Sequence, residues 1–120
     1  MLDMLAIAAG TGLLSKEFRM QPEYRIVKKI RDALHAHGAF VFKVHGGPHM
    51  MAGLPDLIVC MKGQFIGVEV KTPDGVLSQR QRYVHNMIRS AGGKVIVATS
   101  VDDVRELWDP HWQDHTSDAS

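Results

Sequence analysis

The sequence predicts an α/β domain with a mixed central sheet flanked by helices, and three observations predict it. Val27, Ile30 and Leu34 recur at helical spacing ahead of a block of three short strand-like runs. A second helical stripe, Val84, Met87, Ile88 and Ala91, separates that block from a fourth run, Lys94 to Thr99. A last helical segment carries Val104, Leu107 and Trp108. The order is helix, three strands, helix, strand, helix.

Each element has its own local cause. Pro22 suits the first turn of a helix running to Ala36, and Gly38 suits the left-handed position that ends it. Ala39 to Val44 is a strand-like run and stops at His45-Gly46-Gly47-Pro48. After the breaker Gly53-Leu54-Pro55 come Leu57 to Met61, the turn Lys62-Gly63, and Gln64 to Lys71. Runs this close form an antiparallel hairpin. Thr72-Pro73-Asp74-Gly75 breaks the chain again. Ser78 then opens a helix with Gln81 in the capping-box position, and Gly92-Gly93 ends it. Ser100 is placed to cap the final helix.

The chain has 120 residues, enough for one domain with one core, spanning residues 21–109. Residues 1–20 read as an accessory helix or loose arm, and residues 110–120 as a frayed polar tail. The apolar start is short and lacks a positive leader, so neither a signal peptide nor a membrane span is expected. A net charge of +1 is too mild to mark a nucleic-acid binder by charge alone. Lys28, Lys29, Arg31, Arg80, Arg82 and Arg89 fall in two helices, as solvated faces or as phosphate contacts. Cys60, the sole cysteine, sits in an apolar run and reads as a buried structural thiol. It allows no disulfide within the chain, which agrees with a reducing cytoplasm. No His/Cys spacing suggests zinc, and no phosphate-binding or dinucleotide glycine motif suggests a nucleotide cofactor.

Period two in the third strand carries the chemistry. Ile66, Val68 and Val70 face the core, while Phe65, Gly67, Glu69 and Lys71 face the other way. A carboxylate and an ammonium on one face of a central strand are costly to desolvate unless paired or ligated. Asp56, at the mouth of the neighbouring strand, is brought beside Glu69 by the hairpin. Two converging carboxylates make a hard-oxygen site suited to Mg²⁺ or Mn²⁺, to which the Val70 carbonyl can add a main-chain ligand. Lys71 is placed to position or deprotonate a water attacking a phosphodiester. A plain surface ion pair is the competing reading of the same three residues.

Gly53-Leu54-Pro55-Asp56, a gap, then Glu69-Val70-Lys71 resembles the PD-(D/E)XK nuclease superfamily. More specifically the chain resembles a stand-alone VRR-NUC domain. Further matches are Glu23 in the first helix, Lys43 on the first strand, Ser78-Gln79-Arg80-Gln81, and Gly92-Gly93 before the fourth strand. The resemblance covers about residues 21–108. It implies a restriction-endonuclease-like core, divalent-metal hydrolysis of DNA, a preference for branched DNA such as four-way junctions, and a homodimer. A phage-encoded or bacterial origin fits the family's habit. A nicking or flap nuclease working with a replication machine, and a non-catalytic DNA-binding module, are the alternatives.

By the same resemblance Glu23 is a metal ligand, directly or through water; its other role is a helix-start carboxylate favoured by the macrodipole. Gln81 supports the site or serves only as the capping-box partner of Ser78. Lys43, Arg80 and Arg82 are expected at the DNA backbone, Arg89 with less reason, and His45 and His49 lie in the loop before Pro55-Asp56.

Overall fold

A computed structural model describes residues 22–112, so the expected N-terminal arm and the tail beyond Trp112 lie outside the described residues. Helix α1 (Pro22–Ala36) is followed by strands β1 (Phe40–Lys43), β2 (Leu57–Met61) and β3 (Gln64–Val70). Helix α2 (Gln79–Ser90), strand β4 (Lys94–Ala98) and a 3-10 helix (Val101–Leu107) complete the order. The sheet runs β1-β2-β3-β4. Its first two pairings are antiparallel, and β3 pairs with β4 in parallel through the α2 crossover. The mixed sheet flanked by helices is therefore the architecture that the sequence predicts.

The β2–β3 hairpin closes on Met61↔Gln64 with both turn residues in the left-handed region, Lys62 at φ 53° and Gly63 at φ 79°. Two-residue turns of that hand match the natural twist of the strands. Gly38, at φ 92°, ends α1 as expected.

Val27, Ile30 and Leu34 of α1 are buried against one face of the sheet, formed by Val41, Leu57, Val59, Ile66, Val68 and Val70. Val104 of the 3-10 helix joins the same core. Helix α2 lies on the opposite face, over the β3–β4 half. Its buried residues are Val84 and His85, so the inward stripe is Gln81, Val84, His85 and Ile88. The expected Met87 and Ala91 are instead exposed, on the edge of an apolar groove that Val84, Ile88 and Phe65 also line. The stripe is rotated because two polar residues, Gln81 and His85, turn toward a polar object on β3.

Two further expectations are corrected. Cys60 is exposed: alternation along β2 buries Leu57, Val59 and Met61 and sends Cys60 to the face that α2 leaves uncovered. The last segment is a 3-10 helix whose start is held by Asp103 and not by the Ser100 side chain. Asp103 Oδ2 accepts from the Thr99 main-chain N–H at 2.8 Å and from Thr99 Oγ1 at 3.1 Å. Beyond it, Arg105 lies 4.4 Å over the Trp112 ring. Among the described residues no helix is long and apolar enough to cross a membrane.

Candidate active site

Everything at the site follows from how β2 ends beside β3. The register Leu57↔Val68 sets Asp56 opposite Glu69 and Pro55 opposite Val70. Pro55 has no N–H, so the ladder cannot continue past Leu57. The Asp56 carboxylate takes over, its Oδ2 accepting from the Val70 N–H at 2.8 Å. Both main-chain groups of an antiparallel strand residue point to the same neighbour. The Val70 carbonyl therefore also faces the Asp56 side, where Pro55 offers it no donor.

Two glycines let this corner close. A Cβ on Gly67 would meet Pro55 Cγ at 2.6 Å, so the proline ring rests directly on the β3 backbone. A Cβ on Gly53, at φ +88°, would meet the Arg80 carbonyl at 2.7 Å. The loop before Asp56 thus packs against the start of α2, and Arg80 Nε bonds the Ala52 carbonyl at 3.1 Å.

Glu69 is only 2% exposed. Both of its oxygens are engaged from α2. Gln81 Nε2 donates to Oε2 at 3.1 Å, and His85 Nε2 lies 3.2 Å from Oε1. The reciprocal cap is also present: Ser78 N–H donates to Gln81 Oε1 at 2.9 Å, and Gln81 N–H donates to Ser78 Oγ at 3.0 Å. The two roles open for Gln81 are thus compatible, since its carbonyl end caps the helix and its amide end holds Glu69.

Burial, first, pushes the Glu69 carboxyl up to about 8; the charge of Asp56 and a hydrogen bond with its side chain add to the rise. Lys71 opposes it, and Glu23 adds a smaller push in the same direction as Asp56. The His85 imidazole is lowered by desolvation, then by Arg89 and Lys71, against a pull from Asp56. The Glu69–His85 contact is accordingly a buried hydrogen bond of a neutral imidazole. Lys71 acts on both groups through its charge, and its stem lies beside the turn at Gly75.

Glu23 stands farther off. It lines a cleft of about 440 Å³ with Lys28, Arg31, Lys43, His45 and Asp56. Among the described residues no group of three or more His, Cys, Asp or Glu is placed to hold a metal ion, so Glu23 does not close with Asp56 and Glu69 into a three-carboxylate cluster. Lys43 shares the face of Val41, which settles the side it takes, and donates to the Val44 carbonyl at 2.9 Å. Arg82 is exposed on α2, and Arg80 is partly committed to Ala52 and to the Tyr83 ring, 5.2 Å away. Arg89 Nη2 reaches the Val95 carbonyl at 3.4 Å, and His49 is exposed in its loop.

His85 is the member that sequence reasoning missed. Its signal was its place one turn after Gln81, on the same helix face.

The VRR-NUC domain family model matches residues 18–102. A solved structure described as a VRR-NUC domain matches with a TM-score of 0.62 at 29% identity, covering 73% of this chain and 95% of that one. No curated protein matches. With its family model spanning most of the chain and the sheet order just described, the chain belongs to the VRR-NUC family of nuclease domains.

Proposed function

We propose that the domain is a divalent-metal-dependent endonuclease that hydrolyses DNA phosphodiester bonds and selects branched DNA, four-way junctions above all, by shape. The observation that carries the reading is the Asp56–Glu69 pair beside Lys71: a carboxyl raised to about 8 by burial first and by its carboxylate neighbour second. Such a pair is short of positive charge. The donors on offer, two carboxylates and the Val70 carbonyl, are all hard oxygens and fit Mg²⁺ or Mn²⁺.

Asp56, Glu69 and the Val70 carbonyl would hold the ion, with Glu23 reaching it through water from the cleft rim. When bound, a divalent ion supplies Lewis acidity toward water and phosphate. Lys71 positions or deprotonates the attacking water and offsets the charge that develops on the phosphate. Gln81 keeps Glu69 turned toward Asp56. Lys43 in the cleft and Arg82 on α2 neutralise the DNA backbone, joined by the part of the Arg80 guanidinium not bonded to Ala52.

Symmetric cutting of two strands calls for two sites related by a two-fold axis, hence a homodimer. The sheet face that no described helix covers supports it: Phe40, Phe42, Cys60 and Phe65 are exposed there, Phe40 and Phe65 both cross-strand partners of Cys60. Light scattering of the wild type and of Phe40→Lys, expected to shift mass from dimer to monomer, tests that part.

The test of the activity is cleavage of labelled four-way junctions, flaps, splayed arms and duplex with Mg²⁺, Mn²⁺ or EDTA. Asp56→Asn, Glu69→Gln and Lys71→Ala run alongside. Junction cleavage that needs the metal and disappears in all three variants is expected. Metal-dependent cleavage that survives them would overturn the site, and binding without cleavage on every substrate would make the domain a non-catalytic module.

A further inference from the structure

His85 is a buried polar side chain that the proposed hydrolysis does not use. It is 1% exposed on the inward face of α2, with Val84 as its buried neighbour. An apolar residue would fill that place without the cost of burying an imidazole. Its Nε2 lies 3.2 Å from Glu69 Oε1, while Gln81, one turn earlier, donates to Oε2 at 3.1 Å.

The terminal torsion of a glutamate is soft, so a single hydrogen bond leaves its carboxylate free to swing about the bonded oxygen. Two hydrogen-bond partners on two different oxygens fix the plane. The Gln81 amide cannot exchange its ends, because Oε1 is claimed by the Ser78 N–H of the helix cap. His85 is the second point of the clamp. Each carboxylate oxygen has two lone-pair positions, so these two contacts do not exhaust the carboxylate's capacity to accept.

We propose that His85 is a positioning residue for Glu69: donating from Nε2, it works with Gln81 to set the carboxylate plane in which Glu69 ligates a divalent cation. The inference rests on the metal reading of the Asp56–Glu69 pair and goes beyond it by assigning a role to a residue outside the Asp-Glu-Lys set. The partners that orient metal ligands change metal affinity or activity by about 10–100-fold when lost.

The test is Mn²⁺ titration of the full chain by calorimetry, with thermal melts in EDTA and the Mn²⁺ dependence of junction cleavage. His85→Met fills the space with an unbranched, adaptable side chain and offers no donor. His85→Gln restores an amide donor of comparable reach. We expect His85→Met to bind Mn²⁺ about 10–100-fold more weakly than wild type. His85→Gln should recover to within about threefold, with both variants melting close to wild type. If His85→Met does not fold, His85→Asn, a polar residue too short to reach Glu69, takes its place with the same expected loss.

A donorless variant that binds Mn²⁺ like wild type overturns the inference while leaving the metal reading intact. Equal loss in His85→Gln and His85→Met, both folded, overturns it as well, because packing and not donation would then be what matters. A wild-type protein that binds no Mn²⁺ overturns the metal reading itself, and the role of His85 with it.

Discussion

The buried carboxyl of Glu69 makes the metal-free protein lose stability as pH rises through neutrality. Its ordinary value is 4.5 and its folded value about 8, so between them the folded state keeps a proton that the unfolded chain has released. The unfolded state binds fewer protons there, and unfolding free energy falls by about 1.4 kcal/mol per pH unit. The stabilisation is complete below the unfolded value and is lost on passing through the folded one.

His85 acts in the opposite sense. Its lowered folded value means that the unfolded chain takes up a proton first, so stability falls on acidification below about 6.5. The clean window is therefore pH 6.5 to 8, over which the Glu69 effect amounts to about 2 kcal/mol. At 2% exposure there is little solvent screening to reduce it. For a domain of this size that is a fall in Tm of about 8 °C or more. Urea unfolding in EDTA across the window measures it, with Glu69→Gln as the comparison. Glutamine keeps the shape and neutral hydrogen bonding and carries no titrating proton, so its profile should lack this slope. Mn²⁺ should stabilise the wild type increasingly with pH, because the ligating form is the ionised one. A wild-type profile that is flat or rising from pH 6.5 to 8, or a slope equally present in Glu69→Gln, would refute the reasoning.

Further expectations concern the corner that carries Asp56 and the face beyond it. Asp56→Ala strands the Val70 N–H and should cost about 1–3 kcal/mol in chemical unfolding, whereas Asp56→Asn keeps an acceptor and should stay close to wild type while losing Mn²⁺ binding. Gly67→Ala pushes on a rigid proline ring, so overpacking of about 1–3 kcal/mol outweighs the gain of about 0.5–1 kcal/mol from leaving glycine. Its melting temperature and cleavage rate should fall together. Ser78→Ala removes the acceptor of the Gln81 main-chain N–H for about 1 kcal/mol, and junction cleavage should fall no further than that stability loss explains, because the Ser78 main-chain N–H that holds the Gln81 amide is kept. Cys60 should react promptly with a thiol reagent in dilute native protein, and the proposed homodimer should slow that reaction at high protein concentration.

The alternation of Ile66, Val68 and Val70 against Glu69 was enough to predict both the hairpin and the convergence with Asp56, because a two-residue turn leaves one register. Likewise Pro22, Gly38 and the Ser78–Gln81 pair marked helix ends through local chemistry that tertiary structure did not override. What remained hidden depended on which face a neighbour would cover. Cys60 sits in an apolar run, yet among the described residues no helix lies over that half of the sheet. Met87 and Ala91 satisfy helical spacing, but α2 turns Gln81 and His85 inward. An apolar periodicity sum cannot register such a rotation, since its driving partner is a carboxylate on another strand. The last segment formed a 3-10 helix, its start held by Asp103 where spacing alone suggested Ser100.

Folding and the proposed chemistry share the same atoms at this site, which constrains how it can vary. Pro55 ends the β2–β3 ladder and, by having no N–H, hands the Val70 N–H to Asp56 and leaves the Val70 carbonyl facing it. Gly67 lets that proline lie against β3, and Gly53 lets the loop behind it touch α2. Gln81 closes the helix cap with one end of its amide and holds Glu69 with the other. A substitution at any of these positions therefore acts on stability and on the carboxylate pair at once. Lys71 and Lys43 differ: neither caps a helix or ends a strand ladder, and Lys71 lowers the raised Glu69 carboxyl through its charge. Neutral substitutions at these two lysines should therefore separate chemistry and DNA contact from folding, whereas substitutions in the scaffold cannot.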